Sequence, residues 1–287
     1  MSEASGHDFE HLPPAGARLA HIFARPKVLA GFCVIALGSF GWFYIAVLLT
    51  GMSGPFNGAS LTQVLCRPLS DTVWSSDRLA LMASMWCAMT FAMMLPSAAP
   101  MIMTYAGIAD TAARKGESIV SPFVLVAGYA TVWLGSSMMA ALVQAVLVQS
   151  AFLDAGMVSA SDLLSGAIFL GAGLYQFSSL KNSCLLQCQQ PFPFFFANWS
   201  TRPSGVFRLG LRQGVYCLGC CGAMMLLMFA VGVMNVAWMA GLAIVMTIEK
   251  LLPGRRFSRA VGLALIGLGA AIVAVSFVGA ATAMTTS

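Results

Sequence analysis

Five of the chain's eight cysteines fall between Cys184 and Cys221, as Cys184-Leu185-Leu186-Gln187-Cys188 and Cys217-Leu218-Gly219-Cys220-Cys221. Thiolates are soft donors that select Cu(I), zinc or iron–sulfur clusters over magnesium or calcium, and they are also the groups that exchange disulfides. On a helix, Cys184 and Cys188 share one face, and Cys217 faces the same way as Cys220 and Cys221. The two clusters flank a single stretch of chain and can converge on one site. All three histidines, His7, His11 and His21, lie at the start of the chain. Nothing beyond residue 21 supplies imidazole. Ser–His and Cys–His catalysis, bis-histidine haem and imidazole-ligated copper or iron are therefore excluded from the rest of the chain.

Methionine supplies a second soft donor, and the chain has nineteen. Met82, Met85, Met89 and Met93 recur at helical spacing along one stripe, Met94, Met101 and Met103 follow, and Met224, Met225, Met228 and Met234 form another group. Thioethers ligate Cu(I), although methionine also fills irregular gaps between helices. Met93, Met94, Met224 and Met225 join Cys184, Cys188, Cys217, Cys220 and Cys221 as candidate metal ligands. Pro96 and Pro100 predict a break or kink in the helix that carries the first stripe, and broken helices at membrane depth often line a path. Glu249 is a candidate relay, a ligand, or a neutralised partner for Lys250 or Arg255. Asn235 and Tyr216 are candidate pore-lining groups. Lys181 is expected to snorkel to the membrane interface.

The elements that must position these groups are membrane helices. The chain has 287 residues, 59% of them apolar and 9% charged, with a mean hydropathy of +0.85. That composition predicts an all-α polytopic bundle. Seven apolar segments are readable: 28–52, 79–108, 120–149, 163–179, 209–231, 233–252 and 260–284. Thirteen of the fifteen basic residues fall on one side of this seven-span arrangement, with only Arg67 and Arg78 on the other. The positive-inside rule then places the N-terminus in the cytoplasm and the C-terminus outside. Residues 1–27 read as a polar cytoplasmic tail, 28–284 as the bundle, 51–78 as an outside loop containing Cys66, and 180–208 as a cytoplasmic loop. The Pro191–Phe196 run in that loop is apolar enough to lie at the interface or re-enter the bundle. A tight helical hairpin is expected near 232–235. No nucleoside-triphosphate-binding loop, nucleophile-elbow or zinc-protease motif is present, and no aromatic-interleaved basic patch points to nucleic acid.

Three stretches carry a family resemblance: residues 86–96 with Pro100 after them; Ala172–Gln176 with Leu180–Cys188 and Pro191; and Gly214–Cys221 continuing through Met225, Gly232–Asn235, Trp238-Met239 and Glu249-Lys250. In these the chain resembles the predicted metal-binding integral membrane proteins of bacteria. Ser179 stands where that family has proline, Gln189 where it has a basic residue, and Gly222 where an aromatic residue is frequent. None of these departures removes a candidate ligand. The resemblance implies metal binding and a bacterial inner-membrane location.

These readings converge on a soft-metal protein, with Cu(I) first and zinc second, acting in metal transport, storage or delivery rather than as an enzyme by itself. Its surroundings would be the lipid bilayer and a membrane or soluble partner that receives metal, with oligomerisation open. Two other classes remain: a membrane thiol–disulfide oxidoreductase, and an accessory subunit of a larger membrane complex. An oxygenase would need ligands from a partner.

Overall fold

In the computed structural model, residues 26–51, 76–116, 119–150, 161–233 and 235–285 are described. The histidine tail, Cys66, Arg67 and Met234 lie outside the described residues, as does the Cys33 side chain. All regular structure among the described residues is helical: α1 Pro26–Gly51, α2 Ser76–Arg114, α3 Pro122–Gln149, α4 Asp162–Tyr175, α5 Ser179–Gln189, α6 Pro191–Ala197, α7 Pro203–Val231, α8 Val236–Leu251 and α9 Arg256–Thr285. The all-α expectation holds.

Four of these are long and apolar enough to cross a membrane, in the ranges Arg78–Arg114, Pro122–Gln149, Pro203–Val231 and Arg256–Val278. The α4–α5 pair would make a fifth span, bent by 64°. Within their crossing windows α2 and α7 are 61% and 56% buried, against 17% for α9. The first two therefore form the centre and α9 a periphery that faces outward. The methionine stripe turns inward: Met82, Met85, Met89, Met93 and Met94 are all buried.

Three boundaries differ from the sequence expectation. Helix α2 runs unbroken through Pro96 and Pro100. Ser97 Oγ donates to Met94 O at 2.9 Å and Thr104 Oγ1 to Pro100 O at 2.7 Å in the same turns, while the carbonyls that lose a helical donor to the prolines are those of Ala92 and Pro96. The break falls instead between Tyr175 and Ser179, where the Ser178 side chain accepts from Lys181 N and starts a new helix. The stretch 180–208 is accordingly not a loop, because α5, α6 and the first turns of α7 occupy most of it. Phe194 and Phe195 of α6 are buried, with Phe195 edge-on to Tyr105 and Phe194 edge-on to Tyr216.

With no water to exclude between them, helices in lipid associate by close packing of small residues. Gly128 on α3 and Gly210 on α7 face each other's helices, and a Cβ at either would collide with the carbonyl oxygen of Phe207 or Leu125 respectively. On the α4–α9 seam, a Cβ on Gly173 would stand 2.9 Å from Ile266 N. Polar pins add specificity. Trp86 Nε1 donates to Gln144 Oε1 at 2.7 Å, and Thr90 and Ser137 hydroxyls bond at 2.8 Å, both joining α2 to α3. Gly210→Ala should therefore lower the unfolding temperature in detergent. Gly241→Ala, whose Cβ would meet nothing within 4 Å, should raise stability by up to about 1 kcal/mol through helix propensity. Equal effects at the two positions would overturn this account of the seam.

Candidate metal centre

Helix α7 presents its cysteines on one flank. Cys217, Cys220 and Cys221 bring their sulfurs within 4.8 Å of one another, and all three are buried. Cys220 and Cys221 sulfurs are 3.3 Å apart. Helix α5 supplies a fourth thiol, with Cys188 Sγ 3.8 Å from Cys220 Sγ. A tetrahedral shell with metal–sulfur bonds of about 2.3 Å spaces its sulfurs about 3.8 Å apart, so these separations suit a shared ion.

Two interactions at Gly219 hold the bent α4–α5 pair against α7. From the end of α4, Tyr175 Oη donates to Gly219 O at 2.6 Å. Gly219 itself leaves room for Cys184, whose Sγ lies 2.6 Å from where a Cβ at 219 would stand. That contact also shows how Cys184 is used. It is buried against Gly219 and, among the described residues, makes no hydrogen bond to another thiol. The structure thus gathers Cys188, Cys217, Cys220 and Cys221, and leaves Cys184 beside them in the packing.

Cys217 is the centre of the polar contacts. Lys250 Nζ, from the last turn of α8, donates to Cys217 Sγ at 3.1 Å and to Ser97 Oγ at 2.7 Å. Tyr129 Oη of α3 lies 3.1 Å from the same sulfur. A buried ammonium needs an anionic or strongly accepting partner, and a thiolate is one. Sequence reasoning named Lys250 only as a neighbour of Glu249. The signal available was a lysine inside an apolar helix, which by default marks a functional position. Tyr129, Ser97 and Gln213 carried no comparable signal.

Next to Cys188, Cys217 and Lys250 is a chamber of about 10 Å³, also lined by Ser97, Met101, Tyr129 and Gln213. Gln213 Nε2 donates to Gln187 O at 3.3 Å, while its Oε1 is buried without a partner among the described residues. An orphaned acceptor beside a water-sized space suits a cation or a hydrogen-bond donor.

The sequence-nominated methionines are placed differently. Met93 and Met94 are fully buried in α2, and the Met94 carbonyl accepts from Ser97 and, at 3.4 Å, from Tyr129. Met224 Sδ accepts from Gln176 Nε2 at 2.9 Å. Met225 lines a separate cavity of about 330 Å³ with Trp86, Trp133 and Phe229. Met101 is the thioether that shares a chamber with the thiols.

Lys181 corrects the sequence expectation outright. It does not snorkel: it is completely buried, pairs with Glu249 at 2.9 Å and contacts Gln176 Oε1. Glu249 is thus partnered by Lys181 rather than by Lys250 or Arg255. Bending the chain at 175–179 carries Lys181 inward, and a buried carboxylate meets it there. Gln189 donates to Glu249 O at 2.7 Å and Leu252 O at 2.8 Å, satisfying carbonyls at the end of α8. Asn235 is exposed and caps α8 by accepting from Trp238 N, while half-buried Tyr216 packs against Phe194.

No curated protein and no solved structure matches this chain. A family model described as a copper chaperone does match, over residues 83–272, which takes in all four gathered thiols, Lys250, Tyr129 and the Lys181–Glu249 pair. Soft-metal handling, expected from the donor set, agrees with that description. The chain belongs to the PpoB2 copper chaperone family.

Proposed function

We propose that this chain is an integral membrane carrier of Cu(I), which it takes up on Cys188, Cys217, Cys220 and Cys221 and passes to a partner. The observation that carries the reading is the buried thiol group: three sulfurs within 4.8 Å and a fourth at 3.8 Å from one of them. Thiolates without imidazole suit Cu(I), and burial protects it from oxidation and hydrolysis. Of the thioethers, Met101 is the best placed to assist, whereas Met224 is engaged by Gln176. Met93 and Met94 are buried in α2, and Met225 lines the separate cavity with Trp86, Trp133 and Phe229.

The long apolar helices favour a bundle embedded in the bilayer, and we retain the seven-span topology with a cytoplasmic N-terminus in a bacterial inner membrane. In that arrangement the thiols lie towards the cytoplasmic face, where copper is kept reduced, and the handover partner would be a membrane or soluble copper acceptor. Handover by thiol exchange would need one ligand to move. Cys188 is the natural one, because it stands on a short helix beyond the 64° bend while the other three share α7.

The test is metal retention by full-length protein in detergent. After anaerobic loading with Cu(I) and gel filtration, the native chain should keep copper and a variant with serine at positions 188, 217, 220 and 221 should keep none. Equal retention by both would end this reading. A strong preference for Zn(II) over Cu(I) in competition would replace copper by zinc. A reversible Cys188–Cys220 disulfide in metal-free protein, together with no metal binding, would favour thiol–disulfide exchange instead.

A further inference from the structure

Cys217, Cys220 and Cys221 form a compact group on α7. On the side of Cys217 and Cys188 is the separate small chamber, lined by Met101 of α2, by Lys250, whose ammonium is held on Cys217 Sγ, and by Gln213, whose Oε1 has no partner among the described residues. At about 10 Å³ it is the size of a single water or a single ion.

We infer that this chamber is a second Cu(I) position, held by Cys188, Cys217 and Met101 and joined to the first through Cys217. The inference rests on the copper-carrier reading and specifies its capacity. Charge supports it. Four thiolates around one Cu(I) leave three negative charges uncompensated, and the Lys250 ammonium offsets only one of them. A second monovalent copper offsets another, and in a low-dielectric interior each uncompensated charge is costly. Donor chemistry supports it as well. Two thiolates and a thioether form a soft three-donor set, and the three lone pairs of a thiolate allow Cys217 to bridge two soft ions while keeping the Lys250 ammonium on the third. Two adjacent positions that share one sulfur also provide a step for transfer, because an ion can move between them without leaving thiolate coordination.

The experiment counts copper. Full-length protein in detergent is titrated anaerobically with Cu(I) against a competing chelator, and bound copper per chain is measured by elemental analysis. X-ray absorption on the same samples reports whether copper scatters from copper. The native chain should bind two ions and show a copper–copper shell. Met101→Leu, a conservative change in volume, should weaken the second ion at least tenfold, leave the first in place and remove the copper–copper shell. Cys188→Ser should also remove the second ion and the copper–copper shell, and should weaken the first ion as well, because Cys188 is one of the four thiols of the carrier site. One copper per native chain would overturn the second position while leaving the carrier reading intact, whereas no copper at all would overturn both. Two coppers with unchanged affinities in both variants would overturn the assignment to this chamber.

Discussion

Cys217→Ser should abolish stable copper retention, and it should do so more completely than serine at Cys184, Cys188, Cys220 or Cys221. Cys217 is the sulfur on which the site converges: it belongs to the three-thiol group, receives Lys250 at 3.1 Å and lies 3.1 Å from Tyr129 Oη. Serine removes the soft donor and leaves a buried ammonium facing a neutral hydroxyl. The loss of affinity should exceed the roughly 100-fold that marks the upper end for removing a supporting group around a metal. Cys184→Ser is the informative comparison, because Cys184 packs on Gly219 outside the group and its replacement should leave copper retention unchanged. If Cys184→Ser and Cys217→Ser cost the same, the site is not centred where the geometry places it.

The second large effect concerns stability. Lys181→Met should destabilise the bundle by roughly 3–5 kcal/mol, the cost of stripping one partner from a buried ion pair. The side chains of Lys181 and Glu249 are 0% and 1% exposed, so neither water nor counter-ions can compensate for the survivor. Glu249→Met should cost a similar amount. The double variant Lys181→Met/Glu249→Met should regain most of the loss, since an apolar pair of similar volume removes the desolvation penalty along with the attraction. Thermal unfolding in detergent reads all three. Single variants that lose less than about 1 kcal/mol, the range of exposed pairs, would contradict the burial on which the argument rests. Copper retention gives a second readout. The pair ties α5, which carries Cys188, to α8, which carries Lys250, so both single variants should loosen the metal as well as the fold.

The family match supports copper as the cargo and places the four thiols within the matched region. The structure adds the surroundings that a list of cysteines does not contain: a lysine and a tyrosine on Cys217, and a small chamber with an unpartnered amide oxygen. A thiol group carrying its own counter-charge is better suited to sit within an apolar bundle than one without, because transferring uncompensated charge out of water is costly.

What could be read from the chain alone was whatever depends on local composition and spacing. Long apolar segments specify helices, because only a helix satisfies every backbone group without water. The i, i+3, i+4 spacing places Cys217, Cys220 and Cys221 on one flank whatever surrounds them, and the absence of histidine beyond residue 21 narrows the metal before any fold is known. Tertiary structure decided what depends on where one helix meets another. Prolines 96 and 100 predict a break by local rules, yet α2 runs continuously through both inside the packed core, and the chain bends instead at residues 175–179, where a serine cap restarts the helix. That bend buries Lys181, separates Cys184 from Cys188 in role, and turns Glu249 and Lys250, adjacent in sequence, towards two different partners. Consecutive residues on a helix point about 100° apart, so which partner each one meets is set by the packing of α2, α5 and α7 around α8, information that no spacing within a single segment contains.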